Sequence, residues 1–409
     1  MTVQGTWSSK FAEVCAEFER NFAERGEVGA SVHLTLDGET VVDLWGGVAD
    51  PGSGRAWTED TLVHVWSCTK GATALCAHIL ASRGELDLDA PVTKYWPEFG
   101  KNGKDGVLVR HLLNHQVGLP AIREPLPPGA FYDWEYMADV LSREEPFWTP
   151  GTQHGYHGLT FGFLVGEVVR RVSGRSLGTF FREEVSGPLG IEFWLGLPEE
   201  LESRVAPTIP VDPTQPGVAL PSMYLAAFGD QTSVQALQVI NTGGYMFPGE
   251  SDTRQAHAAV MGSVGGITHA RGLAELYRPL ALGGEYDGVR LVDEGQIARM
   301  GAVSSASDLD PVVLVSSRFG LGYVKSIDNR RFTSPADQEG IRLSEEAFGH
   351  SGFGGSLGFA DPKARLSFGY TMNRMGSGLG LNDRGQSLVD AAYRALGYRQ
   401  PAGGGSWFA

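Results

Sequence analysis

Seven lysines occur in the chain, and one of them, Lys70, has a serine three residues before it. Ser67-Cys68-Thr69-Lys70 opens an apolar run with helical spacing, Ala72, Leu75, Cys76, Ile79 and Leu80, which Gly84 ends. Three residues is nearly one turn, so Ser67 and Lys70 share a helix face with Cβ atoms about 5–6 Å apart. An uncharged amine at that distance can take the proton of a hydroxyl and make it a nucleophile. Burial favours the uncharged form, because a dry setting penalises ammonium. Ser-x-x-Lys arises about once by chance in a chain of ordinary composition, so its weight comes from its place at the head of an apolar helix. The plain alternative makes Ser67 an N-cap and Lys70 a solvated residue of the first turn. A cation in a first turn, however, opposes the helix dipole.

Two further segments carry chemistry. Tyr156, in Gly155-Tyr156-His157-Gly158, stands just before another apolar helical stripe. A phenol beside an amine can pass protons to a leaving group; packing at a helix start is the simpler role. His154 and His157 flank it, but two histidines with no carboxylate or cysteine at ligand spacing do not make a metal site. Neither a metal nor a cofactor is expected. Gly349-His350-Ser351-Gly352-Phe353-Gly354-Gly355 is a glycine-dense strand whose backbone can approach another group closely. Gly354-Gly355-Ser356-Leu357-Gly358 matches the Gly-x-Ser-x-Gly elbow, but that motif needs a strand-to-helix turn in a parallel sheet. Here Ser356 leads into another strand, so it is set aside as nucleophile.

The elements that must position these residues are legible in outline. Phe11, Val14, Cys15, Phe18 and Phe22 mark an amphipathic helix. Asp37-Gly38 between two β-branched runs predicts a two-residue hairpin. Arg110 to His115 and Phe161 to Val172 read as helices, and Gly262 to Leu282 includes one. Segments 121–130 and 206–229 read as long loops rich in Pro and Gly. Segments 319–327, 347–351, 356–361 and 365–372 read as strands, and a helix is expected over about 386–396. Strands at both ends with helices between predict an α+β fold. Residues 1–62 and 300–409 would build an antiparallel sheet domain flanked by helices, and 63–299 a mostly helical domain inserted into it.

The chain has 409 residues and a net charge of −15, which argues against nucleic acid or an anionic membrane as partner. Three cysteines, Cys15, Cys68 and Cys76, imply no disulfide framework. With no apolar run of membrane-spanning length and no basic leader at the N-terminus, the cytoplasm is the expected location. Composition does not speak to oligomeric state.

Taken in order, these motifs resemble the serine β-lactamase and penicillin-binding-protein superfamily over nearly the whole chain. Gly84 to Val92, Arg110 to His115 with Gly118-Leu119-Pro120, Gly187-Pro188-Leu189-Gly190 and Tyr370 to Met375 add to the likeness. Within the superfamily the chain looks most like the family VIII carboxylesterases, which share the class C β-lactamase fold. The resemblance implies Ser67 as nucleophile, Lys70 as general base and Tyr156 as the tyrosine of the second motif. It also implies an oxyanion hole from the backbone N–H groups of Ser67 and Phe353. His350-Ser351-Gly352 falls where β-lactamases carry Lys-Thr-Gly, and Gly158 falls where Tyr-x-Asn has its asparagine. A histidine near its unperturbed pKa of about 6.5 is mostly neutral at pH 7, so the fixed charge that holds a β-lactam carboxylate is missing.

The implied activity is hydrolysis of small neutral carboxylic esters through an acyl-enzyme. Trp66, Tyr132, Trp134, Tyr136, Trp148 and Phe353 are candidate walls of an apolar acyl pocket between the domains, and each is also an ordinary core aromatic. The alternatives are a β-lactamase or D-amino-acid peptidase, an acyltransferase using the same Ser-Lys-Tyr set, and a catalytically silent binding module.

Overall fold

The computed structural model describes residues 3–215 and 218–409. Elements from both ends of the chain build one antiparallel sheet. Its strands are β1 (Gln4–Trp7), β2 (Gly29–Leu36), β3 (Glu39–Asp50), β4 (Phe348–Ser351), β5 (Leu357–Asp361) and β6 (Leu366–Met372). They lie in the order β1-β3-β2-β6-β5-β4, with short Arg55–Ala56 paired to β3. The β2–β3 hairpin turns at Asp37 and Gly38, whose φ angles are 51° and 88°. Both are positive, as the type I′ turn favoured by Asp-Gly requires. Pairing of β6 with β2, Phe368 opposite Leu34, joins the C-terminal strands to the N-terminal hairpin.

Seven of the helices frame the sheet and the site: α1 (Ala12–Glu24), α2 (Thr69–Ser82), α3 (Phe161–Ser173), α4 (Ser222–Gly229), α5 (Val234–Val239), α6 (Ala270–Ala281) and α7 (Asp383–Ala395). One face of the sheet is apolar. Val32, Leu34, Phe359 and Phe368 there meet Val14 and Phe18 of α1 and Leu388, Val389 and Tyr393 of α7. The other face is built from small residues. Ser31 bonds Thr371 at 2.8 Å, and Thr35 bonds Ser367 at 2.7 Å. Gly358 and Gly369 stand opposite each other in the register. A Cβ on Gly369 would lie 2.1 Å from the Ala270 carbonyl oxygen, and one on Gly358 would lie 2.8 Å from the Tyr277 ring. The strands thus leave room for α6 to lie almost on the backbone.

Helix α6 falls within 63–299, the segment expected to form the helical part, yet it packs on the sheet. The same segment holds a second, four-stranded sheet of Leu62–His64, Phe193–Leu195, Val205–Ala206 and Gly266–Thr268. Strands of two or three residues are too short to show a period in sequence. Segment 206–229 is not all loop: its prolines, Pro207, Pro210, Pro213 and Pro221 among them, end where α4 begins. Within 319–327 regular strand stops at Phe319, and bridges at Val324 and Ile327 follow a turn through Gly322. Among the described residues no helix is long and apolar enough to cross a membrane.

Helix α2 is buried from Thr69 to Leu80, as a helix apolar on all sides must be. Its few polar groups are paired. Thr69 Oγ1 accepts from Gly266 N–H at 2.8 Å, Thr73 Oγ1 donates to the Gly262 carbonyl at 2.7 Å, and His78 Nε2 donates to the Leu321 carbonyl at 2.7 Å. Cys68 Sγ donates to the His350 carbonyl at 3.2 Å, tying the start of α2 to the edge strand β4.

The close approach of α6 predicts that Gly369→Ala destabilises the protein by about 1–3 kcal/mol or more, as overpacking does. Gly106→Ala, which would meet nothing within 4 Å, should change stability by less than about 0.5 kcal/mol. Urea unfolding midpoints measure both, and equal effects would show that α6 is not held against the sheet.

Candidate active site

The turn before α2 is strained. Trp66 has φ of 47° although it carries a side chain, a region that costs a bulky residue energy. It is held there by burial, by Val65 N–H on the Gly266 carbonyl at 2.9 Å and by Thr69 N–H on its own carbonyl at 3.0 Å. The turn presents Ser67 at the mouth of α2. Cys68, not Ser67, is the N-cap, and no side chain caps the helix. The Ser67 hydroxyl is therefore free for other partners, and the N-cap role allowed by sequence is excluded.

Those partners are Lys70 and Tyr156. Lys70 Nζ lies 2.9 Å from Ser67 Oγ, and it donates to the carbonyls of Gly158 at 2.7 Å and Ser263 at 3.0 Å. The residue is fully buried, and no carboxylate pairs with it among the described residues. Burial holds its amine well below the ordinary value of 10.5. An uncharged amine has two N–H donors and one lone pair. The two carbonyls can only accept, so they take the two N–H groups and leave the lone pair facing Ser67.

Tyr156 Oη donates to Ser67 Oγ at 2.8 Å. Burial raises the phenol pKa, against the opposing effect of its bond to Ser67, so the phenol keeps its proton. The backbone N–H of Tyr156 is held by the Asp310 carboxylate, 3.1 Å from Oδ2. Its ring stacks on Phe319, centroids 6.0 Å apart. Tyr156 Oη and Lys70 Nζ thus both reach Ser67 Oγ, at 2.8 and 2.9 Å. The neighbouring histidines are fully engaged or tied down. His157 donates from Nδ1 to the Gly155 carbonyl at 2.7 Å and accepts from Leu119 N–H on Nε2 at 2.9 Å. His154 Nε2 lies 2.7 Å from Ser317 Oγ.

His350 lines the same space. Its Nδ1 donates to the Ser351 carbonyl at 2.7 Å, leaving Nε2 without a partner among the described residues. Burial, with the nearby Lys70 adding to it, lowers its pKa to about 3. The ring is thus neutral at any working pH, a firmer result than the free histidine value suggests. The backbone N–H groups of Ser67 and Phe353 donate no hydrogen bond within the described residues.

Ser67, Tyr156, His350, Ser351, Trp66 and Phe353 line one cavity of about 160 Å³. Gly352 does not: its N–H closes a turn on the Ser356 carbonyl at 2.7 Å, and a Cβ there would lie 2.3 Å from the Val65 carbonyl oxygen. Its part is to let the β4 edge meet the Trp66 turn. Ser356 is fully buried, its hydroxyl without a partner among the described residues, and away from the cavity lining.

Four expected wall residues stand elsewhere. Trp134 donates to Glu167 at 2.8 Å and packs on Phe163, inside the helical part. Tyr132 donates to Glu250 at 2.6 Å. Trp148 packs on His157, behind the Tyr156 loop. Tyr136, on the helix Trp134–Arg143, also lies outside the lining. The walls instead come from Met223 and Tyr224 of α4, Gln238 of α5, and Val313 and Val315. No sequence motif marks these residues. The signal available was the unbroken apolar run Met223 to Phe228 directly after Pro221. Two charged groups also line the cavity. Arg318 is paired with Glu345 at 2.8 Å, and Glu339 has its carboxyl raised by burial to about 7.

Comparison with known proteins places the chain in a family. The β-lactamase family model matches residues 16–392. The esterase/β-lactamase LipL of Mycobacterium tuberculosis is 33% identical over 392 residues, 93% of this chain and 85% of that protein. The crystal structure of a family VIII carboxylesterase is 37% identical with a TM-score of 0.83, covering 97% of this chain and 100% of that one. EstA from Arthrobacter nitroguajacolicus Rue61a is 32% identical at a TM-score of 0.83, covering 97% and 99%. The fold, the Ser-x-x-Lys helix and these likenesses agree, and the chain belongs to the β-lactamase family as a serine hydrolase.

Proposed function

We propose that the protein is a carboxylesterase that hydrolyses small neutral carboxylic esters through an acyl-enzyme. Ser67 Oγ attacks the ester carbonyl carbon as its proton passes to Lys70 Nζ. The N–H groups of Ser67 and Phe353 receive the developing oxyanion, an interaction whose loss typically costs about 10²–10³ in rate. Collapse expels the alcohol, which takes its proton from Lys70 by way of the Tyr156 hydroxyl. Water then attacks the acyl carbonyl and gives a proton to the same pair; the bond from the acyl carbon to Ser67 Oγ breaks, Oγ takes that proton back, and the acid leaves.

The observation that carries this reading is the fully buried Lys70 Nζ, 2.9 Å from Ser67 Oγ while the carbonyls of Gly158 and Ser263 accept from the same amine. Neutral esters are supported by the electrostatics of the cavity. His350 is uncharged, and the cation that lines it, Arg318, is paired with Glu345 at 2.8 Å. A cavity of about 160 Å³ with Val313, Val315 and Met223 in its walls suits a small acyl group. The same reading puts the enzyme in the cytoplasm, supported by three free, buried cysteines. β-Lactam hydrolysis is a second reading, because the relative LipL is an esterase/β-lactamase. Assayed side by side, p-nitrophenyl butyrate should turn over faster than nitrocefin, and the reverse order would favour the second reading.

Ser67→Ala should lower ester turnover by about 10⁴-fold or more, whereas Ser356→Ala should leave most of it. The opposite pattern would refute the assignment.

A pH test addresses the base. The folded pKa of Lys70 lies below 10.5. Between the two values the unfolded chain binds a proton that the folded protein does not. The amine therefore costs stability there, and the cost falls as pH rises. Relative to Lys70→Met, the wild type should gain stability as pH rises toward 10.5, by up to about 1.4 kcal/mol per pH unit. Parallel urea unfolding at several pH values reads this, and a constant difference would mean a charged lysine.

A further inference from the structure

Gln238 lines the cavity from α5, 7% exposed, and no motif pointed to it. Its Oε1 accepts the Gly158 N–H at 3.1 Å. The Gly158 carbonyl in turn accepts from Lys70 Nζ at 2.7 Å. The carboxamide and the amine thus grip one residue from two sides. That residue is a glycine, with two soft dihedrals and no side chain to restrain them. His157 N–H and the Leu159 carbonyl are held on either side, at 3.2 and 2.6 Å, and Gln238 supplies the bond on the Gly158 N–H itself.

The space around Gly158 makes the same point. A Cβ added there would lie 3.2 Å from both Cδ and Nε2 of Gln238 and 3.4 Å from its Oε1. A longer side chain at position 158 would run into that carboxamide. The Tyr-x-Asn pattern carries a carboxamide at this sequence position, whereas here one arrives from a helix about eighty residues away, 3.1 Å from the Gly158 nitrogen. The two arrangements exclude each other in space.

We propose that Gln238 is a positioning residue for Lys70: its carboxamide anchors Gly158, fills the place of a side chain at 158, and so keeps the amine's lone pair on Ser67. This rests on the reading of Lys70 as the base. It makes Gly158 and Gln238 one functional pair, so substitutions at the two positions must compensate each other.

The test uses the rate at which a fluorophosphonate labels Ser67 as a function of pH, with kcat, KM and melting temperature recorded alongside. The titratable groups around the amine are Cys68, His115, Tyr156, His157 and His350. Burial disfavours the charged form of each; Glu339, which lines the same cavity with its carboxyl raised to about 7, also titrates, so every profile is read in a Glu339→Gln background, where the acidic limb reports Lys70. Gln238→Leu keeps the volume but removes the acceptor. It should slow labelling and kcat roughly ten- to hundredfold, the scale of a lost buried hydrogen bond, with KM and melting temperature nearly unchanged. The limb should shift, because the Gly158 carbonyl that accepts from the amine is no longer held in place. Gly158→Asn alone should also slow labelling. Gly158→Asn/Gln238→Ala should label at least roughly tenfold faster than the product of the Gly158→Asn and Gln238→Ala effects predicts.

A wild-type labelling rate and limb in Gln238→Leu would overturn the proposal, as would strictly multiplicative losses in the double variant. Labelling does not depend on the substrate. Compensation between the two positions without ester turnover would therefore refute the esterase reading and keep this one. A wild-type Ser67 that does not label would refute both.

Discussion

An amine kept uncharged inside the protein is the constraint on which the rest depends. Lys70 is surrounded by peptide carbonyls and aromatic rings, with its Nζ 4.9 Å from the centre of the Tyr156 ring. Desolvation removes the proton that water would leave in place. Two carbonyls then use up its donors, so the lone pair has one direction left. Every nearby element serves this geometry. Helix α2 is buried throughout, the Trp66 turn brings Ser67 in from one side, and the Asp310-anchored loop brings Tyr156 in from the other.

The sheet matters because the site sits on its edge. Strand β4 touches the start of α2 through Cys68 and through Gly352, where no side chain intervenes between the strand and the Val65 carbonyl. On the far side of β5 and β6, the facing pair Gly358 and Gly369 lets α6 lie close to the strands. Small residues thus set two distances, sheet to helix and strand to turn, and with them the approach of the β4 edge to the Ser67 turn. The neutral His350 belongs to the same design. Uncharged, it adds no cation to the cavity, where Arg318 is paired with Glu345 at 2.8 Å.

Much of this was legible in residue order. The Ser-x-x-Lys spacing at a helix start, the Asp-Gly hairpin and the apolar stripes of α1, α2 and α3 each rest on contacts within a few residues. Local geometry decides such contacts, so a pattern reports them. The cavity walls were not legible. Trp134 and Tyr132 have the composition of pocket residues, but they face Glu167 and Glu250 in the helical part. Met223, Tyr224, Val313 and Gln238 look like unremarkable loop and helix residues in sequence, and yet they enclose the reaction space. Helix α6 was placed in the wrong layer for the same reason: which face of a sheet an amphipathic helix covers is a long-range choice.

Sequence alone determined the family, the nucleophile helix and the order of the motifs, because these are set by spacing along one turn or one strand. Tertiary structure alone decided the burial of Lys70, whose amine meets the Gly158 and Ser263 carbonyls and is held well below its ordinary pKa by desolvation. It also decided which of the aromatic residues reach the cavity. The gap at Gly158 shows the difference most clearly: the carboxamide missing beside Tyr156 comes back from α5, and only the fold brings the two together.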